Sequence, residues 1–376
     1  MSNLGFQAVY TLLAKQEGVA VERAFMPQEL AQPSTELRSC TTFETERDLR
    51  ECDVLGFSLS FETDYPHMLR MLASIQMLSA DPEQRDLWAM QRRFGSPLII
   101  AGGTAVTLNP EPVADFVDVA FVGEAEEFIP EFVSVLRSGK EQLSREELLL
   151  RLSRLEGVYV PRFVKPIYGA GGALSGYLRD GRAPRPVRRF VKDLSKYPTY
   201  TSILTPQTEF RDMFLTETGR GCEMGCRFCV AGYIYRPVRK RSEEAVADTV
   251  KIGLESSEAV GFVGAAVSSH RSISKLAKSV ADSGARASLS SIMSQRVSRE
   301  LAASITESEY KTVALAPEAG SERLRRSAGK RVSNAQIIEA ASMLAEAGIR
   351  GFKLYFMVGL PTENNSDLRE IIQLSR

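Results

Sequence analysis

Short β-branched runs alternate with helix-spaced apolar stretches along most of this chain, and that alternation restricts the fold to parallel sheets flanked by helices. In the first part, strand candidates at Val19–Phe25, Asp53–Ser60, Pro97–Ala101 and Asp118–Val122 are separated by helical spacing over Gly5–Ala14 and Asp64–Leu78. Phe128, Phe132 and Leu136 recur every four residues on a third helix. From Met213 the series becomes regular, with strands at Met213–Glu217, Ala259–Ala265, Arg286–Ile292, Thr312–Ala316 and Gly351–Val358 and helices between them. Ser242 is placed to cap the first of these helices, Ser333 and Gln336 form a capping box, and Gly348 fits the position just past a helix end. Each strand feeds a helix, so the crossovers are expected to be right-handed. A curved, partial (β/α) barrel follows, reactive at the end where strands run into helices.

The chain therefore reads as α/β in three parts: a Rossmann-like parallel-sheet domain over 1–139, a linker with some strand over 140–212, and the partial barrel over 213–376. The 376 residues, 44% apolar, are ample for two packed cores. Forty-seven basic residues balance forty-seven acidic ones, so no global field draws the chain to nucleic acid or to an anionic membrane. No apolar run is long enough to span a bilayer, and Met1 is not followed by a secretion signal, so a cytosolic (cytoplasmic) protein without a membrane partner is expected.

Three of the five cysteines fall in Gly219-Arg220-Gly221-Cys222-Glu223-Met224-Gly225-Cys226-Arg227-Phe228-Cys229. Clustered thiols in a reducing compartment point to metal binding, not disulfides. Cys222, Cys226 and Cys229 at C-x3-C-x2-C spacing can ligate one iron–sulfur cluster, and an electron-carrier ferredoxin would normally supply a fourth thiolate. One iron is left open, as a catalytic site requires. The competing reading is a zinc module closed by Cys222, Cys226, Cys229 and His270, since zinc favours a Cys3His tetrahedron. Cys40 and Cys52 read as ordinary half-buried thiols.

The cysteine loop, with aromatic Phe228 before its third cysteine, resembles that of the radical S-adenosylmethionine (radical SAM) superfamily. The resemblance implies a 4Fe-4S cluster whose open iron binds S-adenosylmethionine, reductive cleavage to a 5′-deoxyadenosyl radical, and a reducing partner of the flavodoxin or ferredoxin type. It also implies roles at the strand ends. Ser268 lies where the family's second strand meets the methionine amino group, and Ser290 lies near the end of the third. Ala316-Pro317-Glu318-Ala319-Gly320-Ser321 resembles the family's Pro-Glu-x-Gly-Ser segment, with Glu318 toward the ribose. Arg331 would pair with the methionine carboxylate, and the strand carrying Met357 and Gly359 would meet the adenine.

In the first half, Ile99 to Thr104, Asn109 to Pro112 and Asp118 to Glu126 resemble the cobalamin-binding Rossmann-like domain that precedes many radical SAM domains. The resemblance places a cobalamin site at Gly102, Gly103, Thr104 and Gly123. The Asp-x-His-x-x-Gly motif whose histidine coordinates cobalt is missing, and His67 lacks the spacing. Either cobalamin binds without a histidine ligand or the domain has lost it. A tight turn without any ligand explains Gly102-Gly103 equally. Ser2 to Phe6 looks like the turn after a first strand that is absent, and the barrel lacks a last strand, so the chain is expected to be incomplete at both ends. The substrate stays open between RNA and a small metabolite, because the basic runs Arg182–Arg189 and Arg236–Arg241 could be a solvated connector or a binding face. Methyl transfer, methylthio transfer and other radical reactions all fit the resemblance.

Overall fold

The computed structural model describes residues 3–27, 39–78, 96–139, 143–307 and 312–376. The chain divides into two compact units, Ala8–Val191 and Lys192–Arg376, the latter including Met1–Gln7.

Helix α1 (Leu4–Ala14) begins within Met1–Gln7 and continues into the N-terminal unit, which then holds β1 (Val54–Ser58) and α2 (Asp64–Ser74). There follow β2 (Leu98–Gly102), α3 (Thr104–Leu108), β3 (Val119–Phe121), α4 (Phe128–Gly139), α5 (Arg145–Leu152) and β4 (Val158–Tyr159). The sheet order is β1-β2-β3-β4, the first three parallel and β4 antiparallel to β3. Successive strand side chains point to opposite faces. Leu55, Ile99, Ala101 and Ala120 thus enter one core with Met68 and Leu72 of α2. Leu98, Val119 and Phe121 enter the other with Phe128, Phe132, Leu149 and Leu152. A sheet covered on both faces needs unbroken apolar strands, which Leu98-Ile99-Ile100-Ala101 provides. Phe121 stacks on Phe128 with ring centroids 3.9 Å apart. Asp118 takes an ion pair from Arg145 at 2.7 Å and the Ile99 N–H at 2.8 Å, tying α5 to the sheet. Cys40 is buried and Cys52 half-buried, both in or against the first core, and burial pushes both thiols up.

Two expectations change here. Val19–Phe25 joins no strand ladder among the described residues; the Phe43 N–H instead donates to the Arg23 carbonyl at 2.6 Å, and the Arg23 N–H to the Glu44 carboxylate. Nor does 140–212 behave as one connector. Helix α5, strand β4 and the hairpin of β5 (Val164–Tyr168) and β6 (Leu174–Arg179) belong to the N-terminal unit, which ends at Val191. Arg189, read within a run that could be a solvated connector or a binding face, is buried, and its guanidinium donates twice to Glu131 at 2.6 and 2.8 Å. Those bonds hold the Glu131 carboxyl below its ordinary pKa.

The C-terminal unit opens with β7 (Phe214–Glu217), β8 (Gly219–Arg220), α6 (Ala231–Ile234), β9 (Arg239–Lys240) and α7 (Glu243–Leu254). It continues through β10 (Ala259–Val263), α8 (Ile273–Asp282), β11 (Arg286–Leu289), α9 (Arg299–Glu307) and β12 (Thr312–Glu318). Helices α10 (Glu322–Ser327) and α11 (Asn334–Glu346), strand β13 (Gly351–Phe356) and helix α12 (Asn365–Leu374) complete it. The expected curved series is present as two parallel ladders, β11-β10-β7 and β12-β13; among the described residues no ladder joins β11 to β12. Val260 and Phe262 of β10 and Leu315 of β12 meet Val250, Leu276, Val280, Leu301 and Leu344 from the helices in one core. The Ser242 hydroxyl accepts from the Ala245 N–H at 3.2 Å, and Ser333 with Gln336 makes the expected capping box. A further capping box, Asn364 with Asp367, starts α12.

Candidate functional site

The cysteine loop hangs from a two-stranded ribbon. β8 and β9 pair antiparallel, Gly219 with Lys240 and Arg220 with Arg239, so residues 221–238 leave and return at one point beyond the end of β7. The ribbon is anchored by Arg241. Its buried guanidinium donates to the Leu194 carbonyl, to the Tyr197 carbonyl at 2.7 Å, to the Thr199 hydroxyl at 2.9 Å and to the Glu217 carboxylate. Burial alone would raise the Glu217 pKa, but Arg220 and Arg241 outweigh it and hold the carboxyl low. Lys240 donates to the Ser269 carbonyl. The basic run after the cysteines, which left a binding face open, is thus largely engaged in holding the loop.

Cys226 is buried, and Cys222 and Cys229 are half-buried beside it. Burial pushes the Cys226 thiol up; Lys330 opposes this, while Cys222, Cys229 and Glu318 add to it. Two of these groups, Lys330 and Glu318, come from far along the sequence. The loop tip is tied to the end of β11, where Arg296 pairs with Glu223 at 2.8 Å and the Gln295 amide lies 3.1 Å from the Met224 sulfur. Its far side is buttressed by the turn after α10. The Arg227 N–H donates to the Ala328 carbonyl at 2.9 Å, and the Arg227 guanidinium to the Ser327 carbonyl at 3.1 Å.

Glu318 closes β12 at φ +71°, a left-handed conformation disfavoured for a side-chain-bearing residue. The ladder with β13 is irregular between Leu315 and Glu318, and the Met357 N–H donates to the Glu318 carbonyl at 2.8 Å. Strain of this kind concentrates at functional sites. The carboxylate pairs with Lys330 at 3.0 Å, and Lys330 also donates to the Ala316 carbonyl. Fully buried Arg325 donates to the carbonyls of Ala319 at 2.7 Å, Gly320 at 3.0 Å and Val332 at 2.9 Å, fixing the residues that flank this pair.

The other expected residues fall as follows. Arg331 is exposed, and its neighbour Lys330 is the cation that reaches Glu318. The Ser268 hydroxyl is buried and accepts the Met293 N–H at 2.8 Å, linking the ends of β10 and β11. Ser290 is exposed, its hydroxyl 3.5 Å from the Gly264 carbonyl. Phe228 and Gly359 are exposed and Met357 half-buried. His270 is buried with Nε2 2.9 Å from the Arg241 carbonyl, and Nδ1 accepts the Ser272 N–H at 3.3 Å. An acceptor Nδ1 leaves the proton on Nε2, so neither nitrogen offers zinc a lone pair. The Cys3His reading fails on that point. Among the described residues no three His, Cys, Asp or Glu side chains gather around a single ion position. Three thiols on one loop, with no fourth ligand gathered beside them among the described residues, fit an iron–sulfur cluster with one open iron.

The N-terminal sheet gives a different answer for cobalamin. Gly123 has φ +133°, and a Cβ there would lie 2.1 Å from the Arg189 carbonyl oxygen. Gly103, at φ +112°, similarly faces the Leu59 carbonyl oxygen at 2.4 Å. Gly102 only makes ordinary contact with Phe121, and Thr104 merely begins α3. The two constrained glycines admit the chain's own backbone, Arg189 bridging Gly123 in parallel. His67 is exposed on α2. The residues assigned to cobalamin include no histidine, so a cobalamin held there would bind without that ligand, one of the two expectations.

Comparison with known proteins follows the same division. Residues 5–161 match the family described as radical SAM proteins, N-terminal, and residues 216–375 match the radical SAM superfamily. The uncharacterised protein MJ0966 of Methanocaldococcus jannaschii is 28% identical over 332 residues, covering 87% of this chain and 63% of that one. Among solved structures, the cobalamin-dependent S-adenosylmethionine radical enzyme OxsB, with aqua-cobalamin and S-adenosylmethionine bound, is similar at a TM-score of 0.54 and 13% identity. That match covers 86% of this chain and 43% of OxsB. The radical S-adenosylmethionine methyltransferase TsrM of Kitasatospora setae, with tryptophan and an S-adenosylmethionine analogue, is similar at 0.56 and 12%, over 87% and 61%. These structures share the fold, and this chain spans about two-thirds or less of the relatives' lengths. Among the described residues no helix is long and apolar enough to cross a membrane. With both family matches lying on the two units and the three-cysteine loop at the end of β7, the chain belongs to the radical SAM superfamily.

Proposed function

We propose that this protein is a radical SAM enzyme that holds a 4Fe-4S cluster on Cys222, Cys226 and Cys229 and acts on its substrate by radical chemistry. When bound, such a cluster supplies the electron that cleaves S-adenosylmethionine to a 5′-deoxyadenosyl radical. The observation that carries the reading is the docking on the three-thiol loop of the turn after α10, whose Lys330 pairs with Glu318 at the end of β12. Within it, the chain's own residues have separable tasks. Cys222, Cys226 and Cys229 bind as thiolates, Glu318 offers a carboxylate able to accept both ribose hydroxyls, and the Met357–Glu318 bond holds that carboxylate's backbone. Burial of Cys226 would shield that side of a cluster held there from water.

An electron donor of the flavodoxin or ferredoxin type and a cytoplasmic setting belong to the same reading. Methyl transfer is one outcome consistent with it, as in the methyltransferase TsrM. Cobalamin, which the solved structures of OxsB and TsrM contain, would enter this reading only without a histidine ligand, since none of Gly102, Gly103, Thr104 and Gly123 supplies one. Anaerobic reconstitution with iron and sulfide tests the proposal. About four irons per chain, a reducible cubane signal in paramagnetic resonance and release of 5′-deoxyadenosine are expected, and all three should vanish in Cys226→Ala. A Cys226→Ala protein that still cleaves S-adenosylmethionine overturns the assignment.

A further inference from the structure

Lys330 is not among the residues that the cysteine motif or the Pro-Glu-x-Gly-Ser segment brings forward, yet the fold places it with care. The turn that carries it is docked on the cysteine loop, with the Arg227 N–H on the Ala328 carbonyl. Gly329 lies so close that a Cβ would sit 3.1 Å from the Gly225 carbonyl oxygen. Fully buried Arg325 pins both flanks of the Lys330–Glu318 pair, through Ala319 and Gly320 on one side and Val332 on the other. Both side chains of the pair are mostly shielded, with 17% and 19% of their surface exposed. A cation in such a setting is weakly screened and cannot swing away.

We propose that Lys330 is a positioning residue that sets the reduction potential of the cluster held by Cys222, Cys226 and Cys229, with Glu318 as its partly opposing charge. The inference rests on the cluster assignment proposed above. One-electron reduction adds a negative charge to the cluster, and a nearby fixed cation stabilises that form more than the oxidised one. The turn that carries Lys330 touches Gly225 and Arg227, the residues on either side of Cys226, so this cation is held beside the cluster loop.

The test is a redox titration of the reconstituted full chain, poised with dithionite and mediators and read by paramagnetic resonance. Lys330→Met should lower the reduced-to-oxidised ratio at a fixed potential about tenfold, a shift of about 59 mV to more negative values for a one-electron couple. Lys330→Arg, which keeps the charge, should stay near the native midpoint, and Glu318→Gln should move it the opposite way. A Lys330→Met protein with a full cluster and the native midpoint overturns the role of Lys330 while leaving the cluster assignment intact. A native chain that assembles no cubane overturns the assignment, and this inference with it. Should Lys330→Met fail to fold, Lys330→Gln and Glu318→Gln carry the same test, and native midpoints in both refute it.

Discussion

Gly329→Ala separates a docking role for the turn after α10 from plain backbone strain. Gly329 has φ +78°, so any side-chain-bearing residue there adopts the left-handed region at a cost of about 1–2 kcal/mol. The added methyl would also lie 3.1 Å from the Gly225 carbonyl oxygen and 3.3 Å from the Arg227 nitrogen, so the cysteine loop must give way by a few tenths of an ångström. Gly284, just past α8, provides the control. Its φ is +82°, nearly the same strain, but nothing lies within 4 Å of the Cβ position. Both variants should lose about 1–2 kcal/mol of stability, a fall in Tm of about 2–8 °C for a unit of this size. Only Gly329→Ala should lose metal: if the displaced loop forfeits about 1.4 kcal/mol of cluster binding, iron retention against a chelator falls about tenfold. Paired thermal melts and iron retention after reconstitution read both quantities. Equal iron loss in the two variants, or full retention in Gly329→Ala, would refute the claim that this turn buttresses the cluster loop.

Three further outcomes follow from the same geometry. Glu217→Gln strands the buried guanidinium of Arg241 and should destabilise the protein by about 3–5 kcal/mol in denaturant titrations. Because the Glu217 pKa is held below its ordinary value, its stabilising charge is present above that ordinary value and lost as pH falls through the depressed one. The gap between native and Glu217→Gln stabilities should therefore be widest near neutrality and close as the carboxyl protonates; a gap that widens on acidification would refute the pairing. Glu318→Ala should weaken S-adenosylmethionine binding by calorimetry with the cluster retained, and Glu318→Gly, relieved of the +71° strain, should be about 1–2 kcal/mol more stable than Glu318→Ala. Phe121→Ala removes the ring stacked on Phe128 and should cost about 3–5 kcal/mol in the N-terminal unit, read by its own unfolding transition.

What could be read from the sequence was whatever repeats locally. Parallel strands announce themselves by β-branched runs, and those expected at Pro97–Ala101, Ala259–Ala265 and Thr312–Ala316 form over Leu98–Gly102, Ala259–Val263 and Thr312–Glu318. Capping at Ser242 and Ser333 was legible because a cap is made within four residues. Val19–Phe25 has the same composition but no strand ladder among the described residues, and a strand exists only by virtue of its neighbour. Arg189 and Arg241 read as members of basic runs, solvated or binding, because their acids, Glu131 and Glu217, lie 58 and 24 residues away. The glycines Gly103 and Gly123 were visible as glycines, but what they make room for was not. The Leu59 and Arg189 backbones fill those places, and only three-dimensional proximity reveals that.

The same limit explains why Arg331 drew attention and Lys330 did not. Both are cations in one turn, and spacing from Glu318 alone cannot choose between them. The choice is made by Gly329 and Arg325. The left-handed glycine presses the turn onto the cysteine loop, and the buried arginine holds the Val332 carbonyl, so Lys330 faces inward and Arg331 faces solvent. Combining Lys330→Met with Arg331→Lys moves the turn's ammonium outward by one residue and leaves the net charge equal to that of Lys330→Met alone. If an ammonium anywhere in the turn sufficed, the one introduced at position 331 would restore the native midpoint. If position decides, the double variant should titrate with Lys330→Met, because an exposed charge is screened by solvent and counterions before it reaches the metal.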